Sequence, residues 1–89
     1  MTENEVQVQN RLGLHARAAA RFVHLANRFS SRITVVKDGT RVDGKSILGL
    51  LTLAAAKGTR LRLAADGEDE REAVDKLVDL VRSRFGEED

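Results

Sequence analysis

The sequence predicts an α+β protein in which helices cover one face of a mostly antiparallel sheet. Three observations lead to this class. Apolar residues recur at helical spacing in three segments. Four other short segments are β-branched or alternate between polar and apolar residues, as half-buried strands do. Turn residues separate the segments, and their predicted order is β-α-β-β-α-β-α.

The first half of the chain is predicted to hold a strand, a helix and a hairpin. Residues 5–9 alternate between polar and apolar side chains and form the first strand. Residues 16–28 place their apolar side chains on one helical face. The β-branched segment 32–36 and the returning strand 40–42 flank Asp38-Gly39, a strong hairpin signal because both central residues of that turn need a positive φ.

The second half is predicted to hold two helices around one strand. Ser46 is a good N-cap for a short apolar helix over residues 47–53. Residues 60–64 alternate again and form the last strand. Acidic residues precede the final helix, with Asp66, Asp69 and Glu70 expected as its cap and dipole partners. Its apolar stripe is expected to contain Val74, Leu77, Val81 and Phe85, with Gly86 as the stop.

The formal net charge is only +1, but the charges are unevenly distributed. Residues 11–41 hold seven basic residues and one acidic residue, whereas residues 66–89 hold ten acidic and four basic residues. Both segments could be solvated surfaces. The first could instead offer a basic face to an anionic ligand or an acidic partner. On the first helix a basic stripe lies opposite the apolar face and contains Arg17, Ala20, Arg21, His24 and Arg28.

The composition excludes several kinds of site and location. Without cysteine the chain can form neither a disulfide nor a thiolate metal site. No apolar run approaches the ~18 residues of a membrane span. The first residues are acidic, where a secretion signal would be basic. We therefore expect one cytoplasmic domain over residues 1–89, with no membrane insertion.

The segment Gly13-Leu14-His15-Ala16-Arg17 is the best candidate for chemistry. His15 stands at the entry of the first helix, where unpaired backbone N–H groups and the helix dipole stabilise an anion. Arg17 can reach the same anion with a planar fork of donors. A neutral imidazole is nucleophilic near pH 7 and can form a covalent intermediate. These parts suit a phosphoryl group carried on nitrogen, although a histidine that merely caps the helix would give the same pattern.

This segment resembles the phosphorylation-site motif of HPr, the histidine-containing phosphocarrier of the bacterial phosphoenolpyruvate-dependent phosphotransferase system. Gly44-Lys45-Ser46-Ile47-Leu48-Gly49-Leu50 is similar to the regulatory serine segment of that family. Residues 54–58 and the acidic terminal helix are similar to its later elements, so that the resemblance covers essentially the whole chain. One departure is Ala18, which stands where the family usually has proline and bears on the rigidity of the site.

The resemblance implies an open-faced β-sandwich, a four-stranded antiparallel sheet covered on one face by three helices. It also implies that His15 accepts a phosphoryl group on Nδ1 from phosphorylated Enzyme I and passes it to a histidine of an enzyme IIA domain. Arg17 would neutralise the phosphoryl charge, and the backbone N–H groups of Ala16 and Arg17 would hydrogen-bond to it. Such a protein is a phosphocarrier without turnover of its own, and we expect a monomer without a cofactor.

The resemblance further implies a docking face on the first two helices and a regulatory site. The docking residues carried over are Arg17, Ala20, Arg21, His24, Ile47, Leu48 and Leu51. Ser46 would be the regulatory phosphorylation site, a substrate of HPr kinase/phosphorylase. As a plain N-cap, Ser46 also has a purely structural interpretation, since capping alone contributes ~1 kcal/mol.

Other functions are open at this stage. A regulatory protein-binding module of the same fold would act through phosphorylated Ser46, but the presence of His15 and Arg17 favours the carrier. The sequence does not distinguish a sugar-transport branch from a nitrogen-related regulatory one. A nucleic-acid-binding domain is disfavoured because no aromatic residues interleave with the arginines. No second histidine or thiol accompanies His24, and no metal site is expected there.

Overall fold

The computed structural model describes residues 1–87, which form a four-stranded antiparallel sheet and three helices. The strands are β1 (Thr2–Gln7), β2 (Arg32–Lys37), β3 (Thr40–Asp43) and β4 (Arg60–Asp66), and their order in the sheet is β1-β4-β2-β3. The helices are α1 (Ala16–Ala26), α2 (Ile47–Thr52) and α3 (Glu70–Arg82). The predicted fold class and element order are confirmed. Within the described residues, no helix has the length and apolarity needed to cross a bilayer.

The helices lie on one face of the sheet, as the alternation along β4 shows. Leu61, Leu63 and Ala65 are buried against the helices and belong to the single apolar core. Arg60 and Arg62, which alternate with Leu61 and Leu63, are exposed on the other face. There Arg62 pairs across the strands with Glu5, the two groups lying 3.9 Å apart. The sheet therefore has one apolar face and one charged face.

The predicted hairpin turn is confirmed, whereas the bounds predicted for the first strand and the end predicted for the first helix are wrong. Asp38 and Gly39 have φ values of +48° and +82°, the positive angles that this turn requires. The first strand spans residues 2–7 and not 5–9, because regular pairing with β4 ends at Gln7. The first helix ends at Ala26 and not at residue 28. The amides of Arg28 and Phe29 bond to carbonyls three residues back, a tighter turn that closes the helix.

The third boundary difference concerns Phe85, which the sequence places on the last helix. The helix α3 ends at Arg82, and Arg84, Phe85 and Gly86 follow with φ values of +61°, +55° and +79°. A left-handed conformation costs an ordinary residue roughly 1–2 kcal/mol. The Phe85 side chain is fully buried, a gain that offsets this cost. The turn brings Glu87 back to the segment that holds His15.

Asp69 occupies the N-cap position of α3, but its carboxylate does not cap that helix. It accepts instead from the backbone N–H groups of Ser30 and Ser31, at 2.9 and 3.0 Å, and from the Ser31 hydroxyl at 2.5 Å. Of the three acidic residues expected as cap and dipole partners, Asp69 thus has the cap position but makes no side-chain cap bond. The side chain ties the start of α3 to the loop between α1 and β2. The bond from the Ser31 hydroxyl and that from the Ser30 amide hold the pKa of Asp69 below its ordinary value.

This contact makes stability depend on pH in a predictable direction. A carboxyl whose pKa is lowered by folding stabilises the protein above its ordinary value of 3.8 and loses that contribution as the pH falls. An asparagine has only one acceptor oxygen for the three donors. We expect Asp69→Asn to lower Tm by several degrees at pH 7 and by much less below pH ~3, in thermal unfolding followed by circular dichroism. A constant difference across this range would contradict the assignment.

Candidate functional site

His15 is the N-cap residue of α1. Its φ and ψ of −82° and −179° are extended, and its carbonyl accepts the first helical bond from Ala19 at 2.8 Å. The ring points at the helix start, since the backbone N–H of Arg17 donates to Nδ1 over 3.3 Å. The side chain is 26% exposed. Nδ1 therefore lies at the positive end of the helix dipole, where an anionic group is stabilised.

The other ring nitrogen of His15 contacts Glu87, which is in turn bound by Asn10, and the sequence interpretation missed both residues. Nε2 lies 2.5 Å from Oε2 of Glu87. The second oxygen of that carboxylate, Oε1, accepts from Nδ2 of Asn10 at 2.8 Å. Asn10 is fully buried, and the same Nδ2 donates to the Gly13 carbonyl at 2.7 Å. Glu87 is one of ten acidic residues in the last segment, and nothing in its sequence context distinguishes it.

The Glu87 carboxyl is held ionised by its neighbours. The hydrogen bond from Asn10 is the largest influence and lowers the pKa below its ordinary value. The hydrogen bond to His15 and the positive charge of Arg21 also lower the pKa, whereas partial burial opposes them. At neutral pH the group facing Nε2 is therefore a carboxylate, which accepts hydrogen bonds and donates none.

Gly13 allows the segment that carries His15 to pack closely against the loop after α2. Its φ is +69°, and the next amide, that of Leu14, donates to the Ala55 carbonyl at 2.8 Å. A Cβ on Gly13 would lie 2.5 Å from that same Ala55 oxygen. Glycine is thus required twice at this position, for its backbone angle and for the close approach.

The two arginines expected near the site have different surroundings. Both are exposed, as the basic stripe predicts, together with Ala20 and His24. Within residues 1–87 the guanidinium of Arg17 makes no hydrogen bond or ion pair. The guanidinium of Arg21 instead donates from Nη1 to the Phe85 carbonyl at 2.5 Å. Arg21 therefore also fixes the turn that carries Glu87.

Exposed apolar side chains lie on α2 and on the loop before His15. Leu48 is 76% and Ile47 is 39% exposed, so both side chains are accessible to a partner. Leu51 is half-buried and packs on the core, so that it offers a partner less surface than expected. Leu12, which was not singled out, is 60% exposed. The available signal was a leucine in the loop between the first strand and the first helix, three residues before the candidate histidine.

Ser46 is the N-cap of α2, as predicted. Its hydroxyl accepts from the backbone N–H of Gly49 at 3.0 Å. The side chain is half-buried and precedes the exposed Ile47 and Leu48. No group of three residues among His, Asp and Glu in the described part of the chain is arranged to hold a metal ion.

Comparisons with known proteins agree on one family. Residues 2–83 match the family described as the PTS HPr component phosphorylation site. Phosphocarrier protein HPr of Neisseria meningitidis serogroup A is 49% identical over 87 residues, which are 98% of each chain. A crystal structure of HPr from Thermoanaerobacter tengcongensis is 49% identical with a TM-score of 0.95, and the match covers 99% of both chains. A crystal structure of Crh, the Bacillus subtilis catabolite repression protein, shows a dimer with a swapped domain. Its TM-score is 0.77 at 48% identity, covering 94% of this chain and 97% of that one.

Proposed function

We propose, from the premise that this chain belongs to the HPr family of phosphotransferase-system phosphocarriers, that it carries its phosphoryl group on Nδ1 of His15. Membership makes the chain a phosphocarrier and not a catalytic enzyme. The observation that supports His15 as the acceptor is the placement of Nδ1 at the N-terminus of α1, 3.3 Å from the Arg17 amide. His24 is exposed in the last turn of the same helix and has no such surroundings.

The transfer has a simple balance of bonds. The lone pair of Nδ1 attacks the phosphorus of a phosphorylated donor, the new N–P bond forms, and the electrons of the old bond return to the donor. The backbone N–H of Arg17 then faces the phosphoryl oxygens, and the dipole of α1 stabilises their charge. The guanidinium of Arg17, which has no partner within residues 1–87, can supply two further donors. The reverse sequence hands the group to the acceptor.

The test of this function is a direct mapping of the phosphate. The purified chain is incubated with phosphoenolpyruvate and Enzyme I, and the product is examined by mass spectrometry and by ³¹P NMR. We expect one phosphate per chain, labile in acid and stable in base, on the peptide that contains His15. A phosphate on another residue, or none, would contradict the proposal.

The partners follow from the same proposal. Enzyme I would be the donor and enzyme IIA domains the acceptors, docking on α1 and α2 around His15. The exposed Leu48 and Leu12 would contact the partner's apolar surface, and the basic stripe on α1 would steer an acidic partner.

A carrier that takes its phosphoryl group from phosphoenolpyruvate works where that metabolite is made, in the cytoplasm. We expect the unswapped monomer to be the active form, and sedimentation velocity would detect a dimer of the kind found for Crh.

A second role, regulation through Ser46, is favoured by the half-burial of that serine beside the docking residues and by the likeness to Crh. A phosphate there would come from a kinase such as HPr kinase/phosphorylase. It would meet the N-terminal N–H groups of α2, so that the fold should tolerate it. It would also add about two negative charges between arginines and aliphatic side chains. Whether the chain serves sugar transport or a nitrogen-related branch depends on its enzyme IIA partner.

We therefore expect Ser46→Asp to keep its thermal stability but to accept phosphate from Enzyme I roughly tenfold more slowly, equivalent to about 1.4 kcal/mol of docking energy. Ser46→Ala should lose ~1 kcal/mol of stability with the cap and should transfer at the normal rate. Thr40→Asp, which adds the same charge at the exposed hairpin, is the matched control and should change neither quantity. Equal transfer rates for Ser46→Asp and the parent would contradict the regulatory role and leave Ser46 as a helix cap only.

A further inference from the structure

We propose that Glu87 is a positioning residue for phosphoryl transfer at His15, and that Asn10 in turn positions Glu87. The proposal rests on the proposed function, since it assumes that His15 is the phosphoryl acceptor. Glu87 contacts His15, which lies 72 positions earlier in the chain. Asn10 contacts the Gly13 carbonyl, three positions later in the chain.

The first step concerns the hydrogen bonds that the Glu87 carboxylate can accept. Asn10 places Nδ2 against Oε1 of Glu87 at 2.8 Å, and Nε2 of His15 lies 2.5 Å from Oε2. The amide nitrogen can only donate, so Oε1 must accept. Because the carboxylate is ionised, Oε2 also accepts, and the proton of the short contact belongs to Nε2. Only a group with two acceptor oxygens satisfies both neighbours.

The second step follows for the ring of His15. A proton fixed on Nε2 leaves the lone pair of a neutral imidazole on Nδ1. Nδ1 is also the nitrogen that faces the Arg17 amide, 3.3 Å away, at the helix start. The carboxylate and the helix terminus therefore select the same tautomer from opposite sides of the ring. They present one nitrogen, in one orientation, as the nucleophile.

The third step concerns the phosphorylated state. When Nδ1 has attacked phosphorus, the ring still carries its proton on Nε2 and holds a delocalised positive charge. Glu87 faces that N–H and stabilises the charge without touching the phosphoryl group. Holding the ring from its far side also compensates for Ala18, which gives the first turn of α1 less rigidity than a proline would.

The arrangement around Glu87 costs stability, because it leaves a buried polar atom without a hydrogen-bond partner and requires left-handed backbone angles in the preceding turn. The Asn10 side chain is fully buried, and its Oδ1 has no hydrogen-bond partner among the described residues. A buried polar atom left unsatisfied costs ~1–3 kcal/mol. Turning the amide over would instead place Oδ1 against two acceptor oxygens, those of Gly13 and Glu87. Arg84 and Phe85 adopt left-handed backbone angles, and Arg21 donates a hydrogen bond to the Phe85 carbonyl. The turn that they form places Glu87 beside Asn10 and His15.

The test is Glu87→Gln, which keeps the size of the side chain but has only one acceptor oxygen for the two donors. We expect the ¹⁵N chemical shifts of the His15 ring to show a larger population of the Nδ1–H tautomer. We expect phosphoryl transfer from Enzyme I to slow roughly tenfold, the lower end of the range found when the hydrogen-bond partner of a metal-binding histidine is removed. Asn10→Ala should change both readouts in the same direction by a smaller factor. Glu68→Gln, an exposed position in the loop before α3, is the matched control and should change neither.

Thermal unfolding of each variant shows whether the protein is folded at the assay temperature, and the ring shifts report the tautomer even where stability is lower. An unchanged tautomer population or an unchanged transfer rate in Glu87→Gln would overturn the proposal. The proposed function fails in a different experiment, one in which His15→Ala still takes up the acid-labile phosphate. The two failures are therefore distinguishable.

Discussion

His15→Ala is expected to abolish uptake of phosphate from phosphoenolpyruvate and Enzyme I, with a loss of more than about a thousandfold. Among residues 1–87, the imidazole of His15 is the nucleophile that faces the start of α1, and no neighbouring side chain in this range can take over the N–P bond. The side chain is one-quarter exposed and lies outside the apolar core, so the fold should survive. The measurement is the yield of acid-labile phosphate by mass spectrometry, with the far-ultraviolet circular dichroism spectrum as a check on folding.

The matched control is His24→Ala, which removes the other histidine of the same helix. His24 is exposed and lies in the last turn of α1. We expect a full yield of phosphate, with at most a small change in rate if Enzyme I contacts that side chain. Equal yields from His15→Ala and the parent would contradict the assignment of the acceptor.

Gly13→Ala is expected to cost about 2–4 kcal/mol of stability and to slow transfer as well. The φ of +69° costs an alanine roughly 1–2 kcal/mol. The new Cβ would also meet the Ala55 carbonyl oxygen at 2.5 Å, and overpacking against backbone costs a further ~1–2 kcal/mol. The backbone N–H of Leu14 also donates to the Ala55 oxygen. A shift that relieves the clash should therefore displace the segment that ends in His15.

Gly58→Ala separates the two contributions. Gly58 has a φ of +92°, yet nothing lies within 4 Å of its hypothetical Cβ. It should therefore show the backbone cost alone, with normal transfer. For a domain of this size each 1 kcal/mol corresponds to roughly 4–8 °C in Tm, so that calorimetry resolves the difference. Equal Tm values for the two variants would show that the contact with Ala55 is relieved without cost.

The parts of the fold that sequence reasoning reached are those determined by local patterns. The alternation in β4, the positive φ pair at Asp38-Gly39 and the cap at Ser46 depend on neighbours within a few residues. His15 and Arg17 were found in the same way, because the start of a helix can be recognised locally. The resemblance to HPr then supplied the chemistry.

The parts it missed depend on contacts between distant residues. Asp69 looks like a cap in the sequence, but the donors of Ser30 and Ser31 become its partners only after folding. Phe85 has the spacing of a helical stripe, yet the chain leaves the helix at Arg82 and buries the ring from a left-handed turn. Glu87 and Asn10 lie 77 residues apart, and no periodicity links them.

The exposure of His15 on the helical side of an open-faced sheet has a kinetic consequence for a carrier. If donor and acceptor both dock on the proposed face around this ring, which includes the exposed Leu48 and Leu12, the face holds one partner at a time. Donor and acceptor would then visit in turn, and the high-energy group would travel through water between the two encounters. Its lifetime against spontaneous hydrolysis then sets the longest useful interval between them. The abundance of the acceptor, and not the speed of the chemical step, would decide how much of the phosphate is delivered.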